Sequence, residues 1–199
     1  MKMKMFCIFL FCSCAIGWSQ QWNLKKDKNG IKVYTRTLDS TKFNEYKAVM
    51  QVKAPLDSVL KTITDGNELV KWCAYTSDSK VLETINKNQY ILWVKNDMPW
   101  PIKNRDHVSI VTIKHQKNGD ITIDLDPETA KFKPDPESST IRITNFKGQW
   151  LLHPQNNTIE ITQQLYGDPN GTLPAWLVNS MLVNAPYHSF EKLKELLEN

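Results

Sequence analysis

The residues of this chain that could do chemistry are few, and three of them lie in one short stretch. Arg105, His107 and Ser109 occupy alternate positions in an alternating segment, so a β-strand would project all three from one face. Val111 continues that face, and Leu92 lies on another alternating segment. A few polar groups on a mostly apolar wall are typical of a small-molecule site. The opposite register would instead turn this face toward solvent.

Other catalytic patterns are missing from the sequence. His107, His115, His153 and His188 lack metal-ligand spacing with cysteines or carboxylates. Cys73 has no evident base partner, which favours a buried structural thiol. The chain contains neither a Gly-x-Ser-x-Gly elbow nor a glycine-rich phosphate loop. We therefore expect no catalytic residue, no metal and no cofactor.

A proline-stiffened apolar tip directly precedes the polar stretch. Met98, Trp100 and Pro101 belong to the run MPWP, which an Arg105-Asp106 pair follows. Such a tip is costly in water unless it covers or contacts something, so it indicates a gate over an apolar cavity or a membrane-contacting loop. The alternative is a rigid structural corner, to which an Arg105-Asp106 ion pair would anchor the loop.

The first nineteen residues have the pattern of a secretory signal peptide. Lys2 and Lys4 precede a short apolar run at residues 6–16, and a small residue, Ser19, ends the segment. The run is short for a spanning helix, although a retained anchor is the alternative. We expect cleavage after residue 19 and export to the periplasm or the medium.

Cleavage would leave a chain without disulfides. Three of the four cysteines precede residue 20, and only Cys73 remains. The net charge of +4 would fall to +2 with the loss of Lys2 and Lys4. The lysines are scattered, so we expect no nucleic-acid partner. We expect a monomer with one domain over residues 20–199.

Alternating segments dominate the pattern along the chain and predict an antiparallel sheet of roughly seven or more strands. Two segments have helical spacing instead, one after Pro55 and a longer one from Leu173 to Leu197 with Pro186 as an expected kink. A curved sheet closing on the long helix would enclose a cavity wherever the two do not pack tightly. We expect its wall to include Leu92, Arg105, His107, Ser109, Val111, Trp176, Leu177 and Ser180.

Several motifs in this order resemble the START lipid-transfer domain over nearly all of residues 20–199. The most specific are Arg105-Asp106 and the segment LPAWLVN at 173–179. The others are NGIKVY at 29–34, YKAVM at 46–50, PWPIKNRD at 99–106, GQW at 148–150 with Pro154, and DPNGTLPAWLVN at 168–179.

This resemblance implies an α+β helix-grip fold, in which a curved antiparallel sheet wraps around a long C-terminal helix. It also implies a tunnel for one hydrophobic molecule, commonly a sterol, phospholipid or ceramide, gated by residues 97–104 and the last helix. The charged pair of sterol-carrying members would fall at Val111 and near Leu92, which are apolar here. We expect a lipid carrier or sensor with transient membrane contact. The alternative is an enzyme of the polyketide cyclase or aromatase type, with His107 or Arg105 as acid–base groups.

Overall fold

The computed structural model describes residues 21–133 and 139–199. The predicted signal peptide lies outside these ranges, as does the middle of the polar loop at 131–139. The two described ranges form one curved sheet and two α-helices. The strands are β1 (Asn23–Lys28), β2 (Ile31–Leu38), β3 (Thr41–Val52), β4 (Thr76–Asn86), β5 (Gln89–Asn96), β6 (Arg105–His115), β7 (Ile121–Pro127), β8 (Ile141–Ile143), β9 (Asn145–Gln155) and β10 (Thr158–Asp168), and the helices are α1 (Leu56–Thr64) and α2 (Ala175–Glu198).

The sheet is antiparallel along its main path, in the order β1-β2-β3-β10-β9-β7-β6-β5-β4. Only β8 lies off this path, where it pairs in parallel with β6. The path does not close on itself, so β1 and β4 are its two edges. This arrangement confirms the predicted fold class, a curved antiparallel sheet wrapped around a long C-terminal helix. In the described part of the chain, neither helix is long and apolar enough to cross a membrane.

Helix α2 divides the space inside the sheet into a packed half and an open half. It continues as a helix through Pro186. Beyond this proline, Phe190 and Leu193 are fully buried, and the Phe190 ring stacks on Trp150 with 5.7 Å between ring centroids. Trp72 meets Trp150 edge to face at 5.9 Å. These aromatic contacts fill one end of the fold, while most of the helix before Pro186 is only partly buried.

Helix α1 packs against the sheet through a short apolar face. Pro55 precedes its first turn, and its buried residues are Val59 and Ile63. A Cβ added at Gly66 would lie 2.6 Å from the Leu92 Cδ1 atom. The chain therefore passes so close to β5 after the helix that only glycine fits without displacing Leu92.

Asp106 is held by a distant arginine rather than by its neighbour Arg105. The Arg142 guanidinium donates to both carboxylate oxygens of Asp106, at 2.8 and 2.7 Å, and Trp93 donates its indole N–H to the same carboxylate at 2.9 Å. Successive strand residues point to opposite faces, so Arg105 projects to the other side of the sheet. The alternative of an Arg105-Asp106 ion pair is therefore wrong. Burial raises the pKa of Asp106, but the hydrogen bonds from Arg142 and Trp93 outweigh this effect and lower it.

Replacing Asp106 with alanine should lower the free energy of unfolding by about 3 kcal/mol, because it leaves the mostly buried guanidinium of Arg142 without its carboxylate. Arg142 would keep only the hydrogen bond from its Nη1 to the Phe132 carbonyl, at 2.8 Å. Urea denaturation measures the loss. Lys114→Ala is the matched control, since its ion pair with Asp124 is solvent-exposed on the lysine side and should contribute less than about 1 kcal/mol. Equal losses in the two variants would contradict a structural role for the Asp106–Arg142 pair.

Candidate functional site

A cavity of about 310 Å³ lies between the inner face of the sheet and the first half of α2. This volume is at the lower end of the roughly 300–1,000 Å³ typical of small-molecule sites. Its wall is mostly aliphatic and aromatic. The apolar members outside α2 include Ile63 of α1 and, elsewhere in the chain, Leu69, Trp72, Tyr90, Leu92, Val94, Val111, Ile123, Leu125, Ile143, Phe146, Trp150 and Leu165.

Strand β6 supplies a line of polar side chains to this wall. Arg105, His107 and Ser109 all line the cavity, and Val111 continues the line. Inward-facing residues of a strand lie about 7 Å apart, so the line follows the cavity from one end toward its middle. Leu92 pairs with Ser109 across β5 and β6 and also lines the cavity. The structure thus brings together these five predicted residues. Their contact with a ligand stays a prediction.

Arg105 is a buried cation without a carboxylate partner among the described residues. It is 3% exposed, and its Nε and Nη2 donate to the carbonyls of Pro169 and Asn170 at 3.3 and 3.4 Å. Its Nη1 donates to the Lys103 carbonyl. Burial lowers the pKa of the guanidinium, which still remains charged. Arg105 thereby joins the loop at residues 97–104 to the segment that precedes α2.

His107 presents an uncharged imidazole to the cavity. Burial lowers its pKa from 6.5 to about 4, with Asp106 opposing this shift and Arg142 adding to it. The ring meets Phe146 edge to face at 5.2 Å. No described residue forms a hydrogen bond with its nitrogens, so both are free to meet a ligand.

His107 should make folding stability depend on pH between about 4 and 6.5. In that window the unfolded chain binds a proton that the folded protein does not, so the free energy of unfolding rises with pH. His107 therefore raises the free energy of unfolding by up to about 3 kcal/mol between pH 4 and pH 6.5. Above pH 6.5 the imidazole is neutral in both states, and the free energy of unfolding no longer depends on it. Urea unfolding of His107→Gln across this window should show a flatter dependence than the unmodified protein. The exposed His115, changed to glutamine, is the control, and an unchanged slope in His107→Gln would contradict the assignment.

Two buried polar atoms on the cavity wall lack hydrogen-bond partners among the described residues. They are Ser109 Oγ and Trp72 Nε1. Native structures rarely leave such atoms unpaired. By contrast, Tyr46 and Gln163, which also line the cavity, satisfy each other through a hydrogen bond of 2.9 Å.

On α2 the structure corrects two of the three predicted wall residues. Leu177 lines the cavity, but Trp176 is 72% exposed and Ser180 is exposed, with its hydroxyl donating to the Leu177 carbonyl. The lining face is rotated about the helix axis relative to the predicted one. It consists of Leu177, Val178, Met181, Leu182, Ala185, Pro186 and Ser189, preceded in the chain by Leu173.

The predicted gate loop contributes to the wall through its flanks, whereas its tip faces solvent. Met98 and Ile102 line the cavity. Trp100 is 93% exposed and Pro101 is exposed, so neither lies on the wall. Asn104 closes the base of the loop by accepting from the Met98 N–H at 3.0 Å and donating to Asp97 at 2.8 Å. The loop therefore lies at one end of the cavity, with an unsupported tryptophan at its tip.

Sequence reasoning missed several residues of the wall. The predicted wall did not include Trp72, Phe146, Trp150 or Met181, which all line the cavity. Each is an apolar residue in an apolar pattern, and the pattern is the same whether such a residue faces a packed core or a cavity. The pair of Tyr46 and Gln163 was detectable only as polar positions within the alternating strands β3 and β10.

We compared the chain with sequence families, with individual proteins and with solved structures. The sequence model of the START domain family matches residues 12–198. An uncharacterised protein of Pseudomonas aeruginosa is 28% identical over 199 residues, which cover 100% of this chain and 97% of that protein. Among solved structures, a STAR-related lipid transfer protein from Xanthomonas axonopodis aligns with a TM-score of 0.82 and 30% identity, over 88% of this chain and 98% of that one. Human StAR-related lipid transfer protein 5 aligns with a TM-score of 0.79 and 20% identity, over 88% and 86%.

Proposed function

Because the chain belongs to the START domain family, we propose that it binds one hydrophobic small molecule of the lipid class in the cavity and carries it between membrane surfaces. The observation that carries this proposal is the cavity itself. Its wall is mostly apolar, and it lies beside the aromatic contacts of Trp150 with Trp72 and Phe190, which fill the other end of the fold. A packed core would have been the more stable arrangement, so the open half supports a binding role.

Two exposed tryptophans near one end of the cavity support transient membrane contact. Trp100 is 93% and Trp176 is 72% exposed, and the cavity is lined by Met98 and Ile102, two residues on either side of Trp100, and by Leu177, next to Trp176. Large apolar side chains without neighbours mark interaction sites, and tryptophan favours the membrane–water interface. Lys103 in the same loop is exposed and could approach lipid phosphates. A ligand could then pass from bilayer to cavity without crossing bulk water.

The cellular location of the protein is proposed from its sequence alone. We propose that the protein is exported to the periplasm or medium and acts as a monomer. The support for export is the signal-peptide pattern of the first nineteen residues. N-terminal sequencing of the protein isolated from each fraction of its host tests the cleavage, and an intact N-terminus would contradict it.

Filling the cavity should abolish ligand binding. Met181 lines the cavity from α2, so Met181→Trp would occupy ligand space with an indole ring. Native mass spectrometry of protein purified from its own host should show a bound molecule at one per chain. The Met181→Trp variant should lose at least about nine-tenths of it, given how little extra volume a well-packed site accepts.

Ser180→Trp is the matched control, because it adds the same indole one residue away on the exposed side of the helix. It should retain the ligand. Equal retention in both variants would place the ligand elsewhere and overturn the carrier function.

Chemically altered ligand after incubation with the protein would support the enzyme alternative. His107 has no hydrogen-bonded carboxylate to orient it, so the described residues offer no assembled acid–base pair for such chemistry.

A further inference from the structure

We propose that the ligand is an electrically neutral molecule with one oxygen function, a hydroxyl or carbonyl, that hydrogen-bonds to Ser109 and His107. The inference rests on the proposed carrier function and names the class of molecule that the cavity selects. It excludes zwitterionic phospholipids and ionised fatty acids as preferred ligands.

Ser109 is the first observation that points to such a group. Its residue is 1% exposed, it lines the cavity, and its Oγ has no partner in the described protein. A buried hydroxyl without a partner is costly, and an alanine at this position would avoid the cost. An oxygen atom on the ligand would give the Ser109 hydroxyl a hydrogen-bond partner in the bound state.

His107 is the second observation, from the neighbouring inward position on β6. Its ring lines the cavity and forms no hydrogen bond with any described residue. With a pKa of about 4 it is neutral at physiological pH, so one ring nitrogen donates and the other accepts. A ligand hydroxyl can use either nitrogen and a carbonyl can use the donor. A neutral imidazole gives an anionic group no charge to pair with.

The charge balance of the wall is the third observation. Arg105 is the only residue with a full charge among the described residues that line the cavity. Each of its three guanidinium nitrogens already donates one hydrogen bond, to the carbonyls of Lys103, Pro169 and Asn170, so two of its five N–H groups stay unused among the described residues. A phosphate or carboxylate at this point would have only those two N–H groups, on a side chain that the carbonyls hold between two loop segments. A phosphocholine would also need a partner for its cation, and no described wall residue carries a negative charge.

The size of the cavity agrees with this class. A space of about 310 Å³ suits a drug-sized molecule or a single chain, whereas a diacyl phospholipid brings two acyl chains and a charged headgroup. One hydrophobic body with one small polar group uses both the apolar wall and the two unpaired side chains on β6.

Four probes with a chain of twelve carbons test the inference, namely dodecane and dodecanol, kept below their solubility limits, and laurate and dodecylphosphocholine, kept below their critical micelle concentrations. Each competes with N-phenyl-naphthylamine fluorescence in delipidated protein at neutral pH. Dodecanol should bind at least about tenfold more tightly than laurate or dodecylphosphocholine, as expected when a charged group is buried without a partner. Tighter binding of either charged probe would overturn the inference while leaving the carrier function intact. Displacement by none of the four would overturn both.

A matched pair of serine variants locates the contact. Ser109→Ala should weaken dodecanol binding by about fivefold, the scale of one hydrogen bond, and leave dodecane binding unchanged. Ser79→Ala is the control, because Ser79 Oγ is also buried and unpartnered but does not line the cavity. It should change neither affinity. An unaltered dodecanol affinity in Ser109→Ala would overturn the assigned contact, and urea unfolding of both variants confirms that they are folded.

Discussion

Replacing Arg105 with methionine should free the two segments that border one end of the cavity. Three hydrogen bonds from one guanidinium join β6 to the Lys103, Pro169 and Asn170 carbonyls. Methionine keeps much of the apolar stem but donates no hydrogen bond. Amide hydrogen exchange at residues 97–104 and 169–174 should accelerate by at least about tenfold, because bonds from a charged donor are each worth roughly 1.5–3 kcal/mol. Bound ligand should leave the variant correspondingly faster.

The overall stability of this variant should change less than its loop dynamics. Burial disfavours the charge of Arg105, as its lowered pKa shows, and removing the charge offsets part of the lost hydrogen bonding. Arg36→Met is the control, since Arg36 pairs with Glu45 and is more exposed, at 30% of its side chain. If exchange accelerates throughout the sheet instead of in these two segments, Arg105 supports the whole fold and does not specifically join the loops.

The double variant Met98→Ala with Trp100→Ala should slow ligand transfer between vesicles by at least about tenfold. Apolar surface buried in a bilayer contributes about 25 cal/mol per Å², and a tryptophan offers roughly 150–250 Å². Trp100 is 93% exposed in the free protein, so its truncation removes a membrane contact and few contacts within the fold. The melting temperature should therefore shift by only a few degrees, which differential scanning calorimetry measures beside the transfer assay.

Ile85→Ala provides the comparison for the loop variant. Ile85 is a 47% exposed apolar residue beside the turn between β4 and β5, at the opposite end of β5 from residues 97–104. Its removal should leave the transfer rate unchanged. A double variant that loses much stability yet transfers ligand at the normal rate per folded molecule would instead identify the loop as a structural corner.

The alternating strands and the final helix were predictable because their patterns repeat over many residues. Buried Ile31, Val33 and Thr35 in β2 show the period of two that a half-buried strand requires. The inward register of β6 followed from the same rule, applied from Arg105 onward. That the sheet wraps around the helix was predicted from the resemblance to START domains, because no local sequence pattern encodes this arrangement.

The errors have a common cause, since each depended on contacts between distant parts of the chain. Residues 175–183 of α2 are apolar on almost every side, so spacing alone could not show that Trp176 faces out and Met181 faces in. Asp106 is held by Arg142, thirty-six residues away in the chain. Trp93 is partly buried and donates to that same carboxylate.

The two edges of the open sheet have a consequence for the behaviour of the protein at high concentration. Exposed strand edges invite pairing with other chains. Edge strand β1 carries Lys25, Lys26 and Lys28 within six residues, and the pairing of edge strand β4 with β5 is interrupted at three places, around Asp78, Glu83 and Asn86. Charge and irregular geometry both hinder the addition of a further strand. The proposed carrier function would require the cavity to open for ligand exchange, and these two edges should keep the sheet from pairing with other chains while it does so.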